Sequence, residues 1–100
     1  MEKMVGKVSD FGEGAGRMVS VDGKAIAVFK IGGKLFAIDE LCPHAHGPLH
    51  EGAVENYIVE CPWHGSQFDI RSGRLARGPS TSGVNTYRIY VKGEEVFVDI

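Results

Sequence analysis

The chain of 100 residues predicts one all-β domain, a small antiparallel β-sandwich or open barrel, and three observations carry that reading. Short apolar stretches rich in β-branched and aromatic residues alternate with glycine turns, no stretch sustains the 3.6-residue period of a helix, and two-residue turn signals recur at hairpin spacing. A second domain does not fit, because a chain of this size makes a single core that buries about 65 % of its unfolded surface.

In order, residues 3 to 9 read as a first strand, and Asp10-Phe11-Gly12-Glu13-Gly14-Ala15-Gly16 is too rich in glycine to be anything but a loop. Strands follow at 17 to 21 and 25 to 31, joined at Asp22-Gly23, where both turn positions must tolerate positive φ. Gly32-Gly33 then closes a second hairpin onto residues 35 to 39. Ile26, Val28, Phe36 and Ile38 suit a pleated, half-buried surface. Farther along, residues 53 to 54 and 57 to 60 flank a turn at Glu55-Asn56, and 67 to 70 and 74 to 76 flank Arg71-Ser72-Gly73. The last hairpin pairs 86 to 92 with 96 to 100 across Gly93-Glu94-Glu95, with Tyr87, Ile89 and Val91 on one face and Tyr90 on the other. Residues 1 to 40 and 81 to 100 are expected to form the base of the domain, and about 41 to 80 a ligand-bearing part at one end.

Composition narrows the function classes. A hydrophobic content of 43 % with 24 % charged residues is that of an ordinary soluble globule. Eleven basic against thirteen acidic residues leave a net charge of -2, which gives no basic footprint for nucleic acid. No apolar run suggests a signal peptide or a membrane span, so the expected compartment is the cytoplasm. There, two cysteines are expected as thiolates rather than as a disulfide.

Those two cysteines stand in Cys42-Pro43-His44 and Cys61-Pro62-Trp63-His64, with 16 residues between the pairs. Each of two loops therefore offers one thiolate and one imidazole to a common point. Spacing alone leaves two readings open. Cys2His2 is a familiar zinc set, yet paired zinc ligands usually have two to four residues between them, and only the rigid Pro43 separates Cys42 from His44. A two-iron cluster needs just two protein ligands per iron, so the cysteines can take an inner iron and the histidines an outer one. A cysteine-nucleophile enzyme is the weakest reading, since neither cysteine has an evident triad context.

The surroundings of the two pairs sharpen the choice. From Leu35 onward the chain resembles a Rieske-type [2Fe-2S] ferredoxin, through Cys42-Pro43-His44, Pro48-Leu49, Gly52, Cys61-Pro62-Trp63-His64-Gly65-Ser66, Phe68-Asp69, Ser72-Gly73 and Gly78-Pro79. The resemblance implies one [2Fe-2S] cluster, with Cys42 and Cys61 on the inner iron and His44 and His64 on the outer. It further implies an oxidised cluster that is formally neutral and hence easier to reduce than an all-cysteine one.

Several neighbours acquire expected roles from the same resemblance. Ser66 stands where a hydroxyl bonds a bridging sulfide. Phe68 stands where high-potential relatives carry a tyrosine, and Gly47 and Trp63 where they carry a disulfide; all three departures imply a midpoint in the lower half of the roughly -150 to +300 mV Rieske range. Gly78-Pro79-Ser80 reads as a third loop covering the cluster. Pro43, Ala45, Pro48, Leu49 and Pro79 read as an apolar collar suited to brief docking, with Trp63 either stacking on a partner or packing at the loop base. His46 and His50 read as exposed loop histidines outside the ligand set.

The favoured function is a soluble one-electron carrier of a dioxygenase system, taking electrons from a flavin-dependent reductase and passing them to a terminal oxygenase, and not itself an enzyme. The alternatives are a Rieske-like small subunit of an assimilatory nitrite reductase and a zinc-stabilised interaction module.

Overall fold

A computed structural model describes residues 1–100, and it contains ten strands in two antiparallel sheets. Six strands form the larger sheet: β1 (Glu2–Lys7), β2 (Gly16–Val21), β3 (Lys24–Ile31), β4 (Lys34–Asp39), β9 (Thr86–Lys92) and β10 (Glu95–Asp99), in the order β1-β10-β9-β4-β3-β2. Its two outer strands, β1 and β2, approach each other beyond a 3-10 turn at Val8–Asp10, so the sheet curls into a nearly closed barrel. The smaller sheet holds β5 (Ala53–Glu55), β6 (Ile58–Glu60), β7 (Gln67–Asp69) and β8 (Leu75–Arg77), in chain order. The expected all-β architecture is therefore what the chain adopts.

The hairpin chemistry follows the turn residues. Asp22 and Gly23 have φ of 51° and 81°, and Gly32 and Gly33 of 61° and 79°, the left-handed pair that suits the twist of a two-residue hairpin. Two turns fall differently from the sequence reading. Glu55 pairs with Ile58, so the β5 to β6 turn is Asn56-Tyr57, with Asn56 at φ 57°, one residue later than the expected Glu55-Asn56 turn. Lys92 likewise pairs with Glu95, leaving Gly93-Glu94 as the last turn. In the glycine-rich loop, the Glu13 carboxylate accepts the N–H groups of Gly32 at 2.6 Å and Gly33 at 3.1 Å, which holds that loop against the β3 to β4 turn.

Alternation along β3 produces two cores from one strand. Ile26 and Val28 face the barrel interior with Phe11, Val19, Val21, Ala37, Val96 and Val98. Ala27 and Phe29 face the other way and, with Ile38, pack against Leu49, Val59, Phe68, Ile70 and both cysteines. This second core joins the two sheets, and it buries the thiols among apolar side chains. A seam at its margin sets Phe36 of β4 edge-to-face on Tyr57, with ring centroids 5.8 Å apart, while the Arg71 guanidinium lies over the same tyrosine ring and pairs with Asp69 at 3.0 Å.

Candidate metal centre

Two loops bring the four sequence-predicted ligands to one end of the domain. The first leaves β4 and ends in a 3-10 turn at Leu49–Glu51; the second joins β6 to β7. Each folds on itself through its own backbone. The Cys42 N–H donates to the Gly47 carbonyl at 3.0 Å, and His46, held at φ 61°, donates to the Cys42 carbonyl at 2.7 Å. In the second loop, the Cys61 N–H donates to the Ser66 carbonyl at 2.7 Å and the Gly65 N–H to the Cys61 carbonyl at 3.1 Å.

The donors separate by depth. Cys42 and Cys61 are 1 % and 2 % exposed, whereas His44 and His64 both reach solvent. The two imidazoles meet edge-to-face with centroids 4.9 Å apart. Both cysteines are free, and their sulfurs face one another closely enough to interact. Burial pushes the Cys42 thiol above its ordinary range and the neighbouring Cys61 adds to the rise, while the backbone N–H groups of His44 and Ala45 point at the sulfur and pull the other way.

This donor arrangement is layered. Two buried thiols with two exposed imidazoles could serve a group with two metal positions, thiolates on one and imidazoles on the other. The N–H groups aimed at the Cys42 sulfur are what a charged thiolate in a dry site requires.

The neighbours predicted from sequence fall into three groups. Ser66 is fully buried, and its Oγ accepts the Ser80 N–H at 3.0 Å, so its own hydroxyl proton is free to be donated within the second loop. Gly78-Pro79-Ser80 packs onto that loop so closely that a Cβ on Gly78 would lie 2.5 Å from the Ser66 Cα. Phe68 is also fully buried, paired across β7 with Val59 and Leu75. A Cβ on Gly47 would sit 2.6 Å from the Cys61 Sγ and 3.2 Å from the Trp63 ring, which makes this glycine the contact point of the two loops.

Leu49 and His50 differ from the sequence expectation. Leu49 does not belong to an exposed collar: it is 0 % exposed, because the 3-10 turn carries it inward onto Phe29 and the cysteines. Pro43 and Pro79 are exposed, and Ala45 and Pro48 half-buried. Leu41 and Trp63, 49 % and 57 % exposed, supply the apolar surface that Leu49 was expected to give. Trp63 packs on Gly47 at the loop base while showing more than half its surface. His50 is likewise no solvated loop residue; its side chain is 28 % exposed and bonded to the buried carboxylate of Glu40.

None of the surface grooves is lined by His44 or His64. The nearest, of ≈ 520 Å³, runs beside the first loop between Asp22, Lys24, Asp39, Leu41, Pro43 and His46. The imidazoles stand exposed outside these grooves.

Comparison with known proteins agrees with this geometry. The Rieske [2Fe-2S] domain family matches residues 1–88. The chain is 40 % identical over 96 residues to the anthranilate 1,2-dioxygenase ferredoxin subunit of Burkholderia cepacia, covering 96 % of this chain and 89 % of that one. Among solved structures, it is similar to the ferredoxin of carbazole 1,9a-dioxygenase from Nocardioides aromaticivorans IC177, at a TM-score of 0.93 and 30 % identity over 98 % of this chain and 96 % of that one. It also matches a chain of a complex of reduced oxygenase and oxidised ferredoxin in carbazole 1,9a-dioxygenase, at 0.90 and 32 % over 97 % and 91 %. A putative nitrite reductase small subunit superposes at 0.87, but with 20 % identity over 100 % and 99 % of the two chains it shows the fold alone.

Proposed function

This chain belongs to the Rieske [2Fe-2S] domain family, and from that premise we propose that it is the ferredoxin component of a ring-hydroxylating dioxygenase system, taking electrons from a flavin-dependent reductase and passing them to a terminal oxygenase. Cys42 and Cys61 hold the inner iron of its cluster, and His44 and His64 the outer. When bound, the cluster accepts and returns one electron at a time.

One observation carries the reading: two sulfurs sunk in the core and close to each other share one end of the domain with two imidazoles that meet edge-to-face at the surface. The protein's own work is to keep water from the sulfurs, to aim N–H groups at the charge they bear, and to leave the imidazole end within reach of a partner's acceptor. Iron, zinc and acid-labile sulfide analysis beside an EPR spectrum of the dithionite-reduced protein tests it. Stoichiometric zinc without labile sulfide would overturn it.

The residues around the sulfurs set the expected potential. Phe68 offers no hydroxyl and Gly47 with Trp63 no disulfide, so the midpoint is expected in the lower half of the roughly -150 to +300 mV range. Ser66 acts in the opposite sense, its hydroxyl proton stabilising added negative charge. Ser66→Ala is expected to lower the midpoint by about 60 mV for each 1.4 kcal/mol of lost hydrogen bonding. It also strands the Ser80 N–H, at a cost in stability of about 1–3 kcal/mol. Redox titration and thermal unfolding separate these effects, and an unchanged midpoint would remove Ser66 from the tuning role.

The docking face has its own signature. Residues 41 to 49, 61 to 66 and 78 to 84 contain no Asp, Glu, Lys or Arg. Contact therefore rests on Leu41, Pro43, Trp63 and Pro79 around the two histidines, with charge confined to the flanks. Raising salt from a Debye length of about 10 Å to about 3 Å is expected to change the rate of electron delivery to the oxygenase less than about threefold, against tenfold or more for a charge-steered pair. Stopped-flow kinetics over that range would show a steep salt dependence if the flanks govern docking.

Localisation follows from the same reading. No helix is long and apolar enough to cross a membrane, and a pair of cysteines reserved for iron suits the reducing cytoplasm, where we place the protein.

A further inference from the structure

Glu40 and His50 bracket the first ligand loop, and nothing in the electron-carrier reading uses them. Glu40 follows β4 and is 4 % exposed. Both of its carboxylate oxygens are taken by one residue: the His50 backbone N–H donates to Oε1 at 2.9 Å, and the His50 Nδ1–H donates to Oε2. The Glu40 backbone completes the closure, its carbonyl accepting the Leu49 N–H at 2.8 Å and its N–H donating to Ala25 of β3 at 3.3 Å. His50 in turn lies against β2, where Gly16 leaves no room for even a methyl group beside the His50 backbone.

The second ligand loop has only an exposed counterpart: the Gln67 Nε2–H donates to Glu60 Oε1 at 2.8 Å across its base, with no buried charge and one bond in place of two. Backbone hydrogen bonds and Ser66 close it, and it grows from the small sheet. The first loop hangs from the barrel, and the Glu40 to His50 pair is the rung that shuts its base. A buried carboxylate has reason to be there only if its partners are fixed, since removing one would strand charge out of water.

We infer that Glu40 and His50 are positioning residues that clamp the base of the loop carrying Cys42 and His44, and so set how firmly and at what angle that loop holds the cluster. The inference rests on the reading of Cys42 and His44 as ligands. The clamp touches no metal; it acts through the backbone of residues 41 to 49.

The test uses the intact, cluster-loaded protein. His50→Ala removes the imidazole bond and keeps the backbone one. Glu40→Gln keeps the shape but exchanges the bond to a carboxylate for a neutral one, which the imidazole can make only by moving its proton to Nε2. His50→Asn restores a donor close to the Nδ1 position, and Val98→Ala opens a cavity in the barrel interior, remote from the clamp, as a control for general destabilisation. Chelator-driven bleaching of the cluster and the EPR line of the reduced protein are read for each, beside thermal unfolding. Expected are bleaching about tenfold faster or more and a shifted EPR line in His50→Ala and Glu40→Gln, substantial recovery in His50→Asn, and a wild-type line in Val98→Ala. Wild-type bleaching and line shape in His50→Ala and Glu40→Gln would overturn the clamp alone, as would equal changes in Val98→Ala. Absence of a reduced-state signal in the unaltered protein would overturn the ligand assignment as well.

Discussion

Serine at position 61 is expected to give a colourless protein that carries neither iron nor acid-labile sulfide. Cys61 is 2 % exposed and sits among Phe68, Val59 and Ile70, so a hydroxyl there replaces a soft anionic donor with a poor one that nothing nearby compensates. Cys42→Ser should behave alike, because the two thiols occupy equivalent depths. The histidines predict a contrasting result. His64 stands at the surface, and His64→Cys supplies a donor that can still bind iron, so the cluster is expected to survive with a midpoint moved toward the roughly -400 mV of all-cysteine clusters. Iron content, visible absorption and redox titration of these variants read the outcome directly. A Cys61→Ser protein that keeps two irons per chain, or a His64→Cys protein whose midpoint rises, would break the assignment of inner and outer ligands.

Gly47→Ala is expected to have the next largest effect, out of proportion to one methyl group. The added carbon would fall 2.6 Å from the Cys61 sulfur and 3.2 Å from the Trp63 ring. The ring can yield; a buried sulfur fixed by its own loop, and by iron under the proposed ligation, cannot. Overpacking of this kind costs about 1–3 kcal/mol, and 1.4 kcal/mol is a factor of ten in an equilibrium. The variant should therefore be isolated with clearly reduced iron and lose the remainder faster. Combining it with Trp63→Ala frees the indole side only, so partial recovery is expected. Full recovery in the double variant would show that the indole, not the sulfur, sets the limit, and wild-type iron in the single variant would show that the loops have slack.

Much of this molecule was legible in its sequence, for a definite reason. Hairpins are local: Asp22-Gly23 and Gly32-Gly33 name their own turns, and alternation along residues 25 to 31 divides the two cores without any long-range information. The meeting of the two Cys/His pairs at one end of the domain was legible because thiolate and imidazole at short spacing have few other uses. What escaped reading lay where local rules are silent. Leu49 sits in an irregular loop with no period to give it a face, and a single 3-10 turn sends it inward. The turn at Asn56-Tyr57 was missed by one residue because Glu55 and Tyr57 suit a strand equally well until Asn56 is seen to adopt positive φ. The Glu40 to His50 contact joins residues ten apart across a loop, in no recognised motif, and only the shared burial of the carboxylate reveals it. Leu41 carries no signal in the sequence because an exposed leucine is unremarkable until the fold sets it beside the exposed Pro43 of the first loop.

The two ligand loops start from different sheets, one from the barrel and one from β6 of the small sheet, and this bears on how the protein matures. The barrel has its own interior, filled without either cysteine, so it can form on the newly made chain before any iron arrives. The small sheet leans on the core that contains both thiols, so under the proposed ligation its order is expected to tighten when metal ties them. Iron starvation would then leave a half-finished molecule, a barrel with a loosened cap. Amide hydrogen exchange on iron-free chains would reveal it as fast exchange across residues 53 to 77 beside slow exchange in β9 and β10.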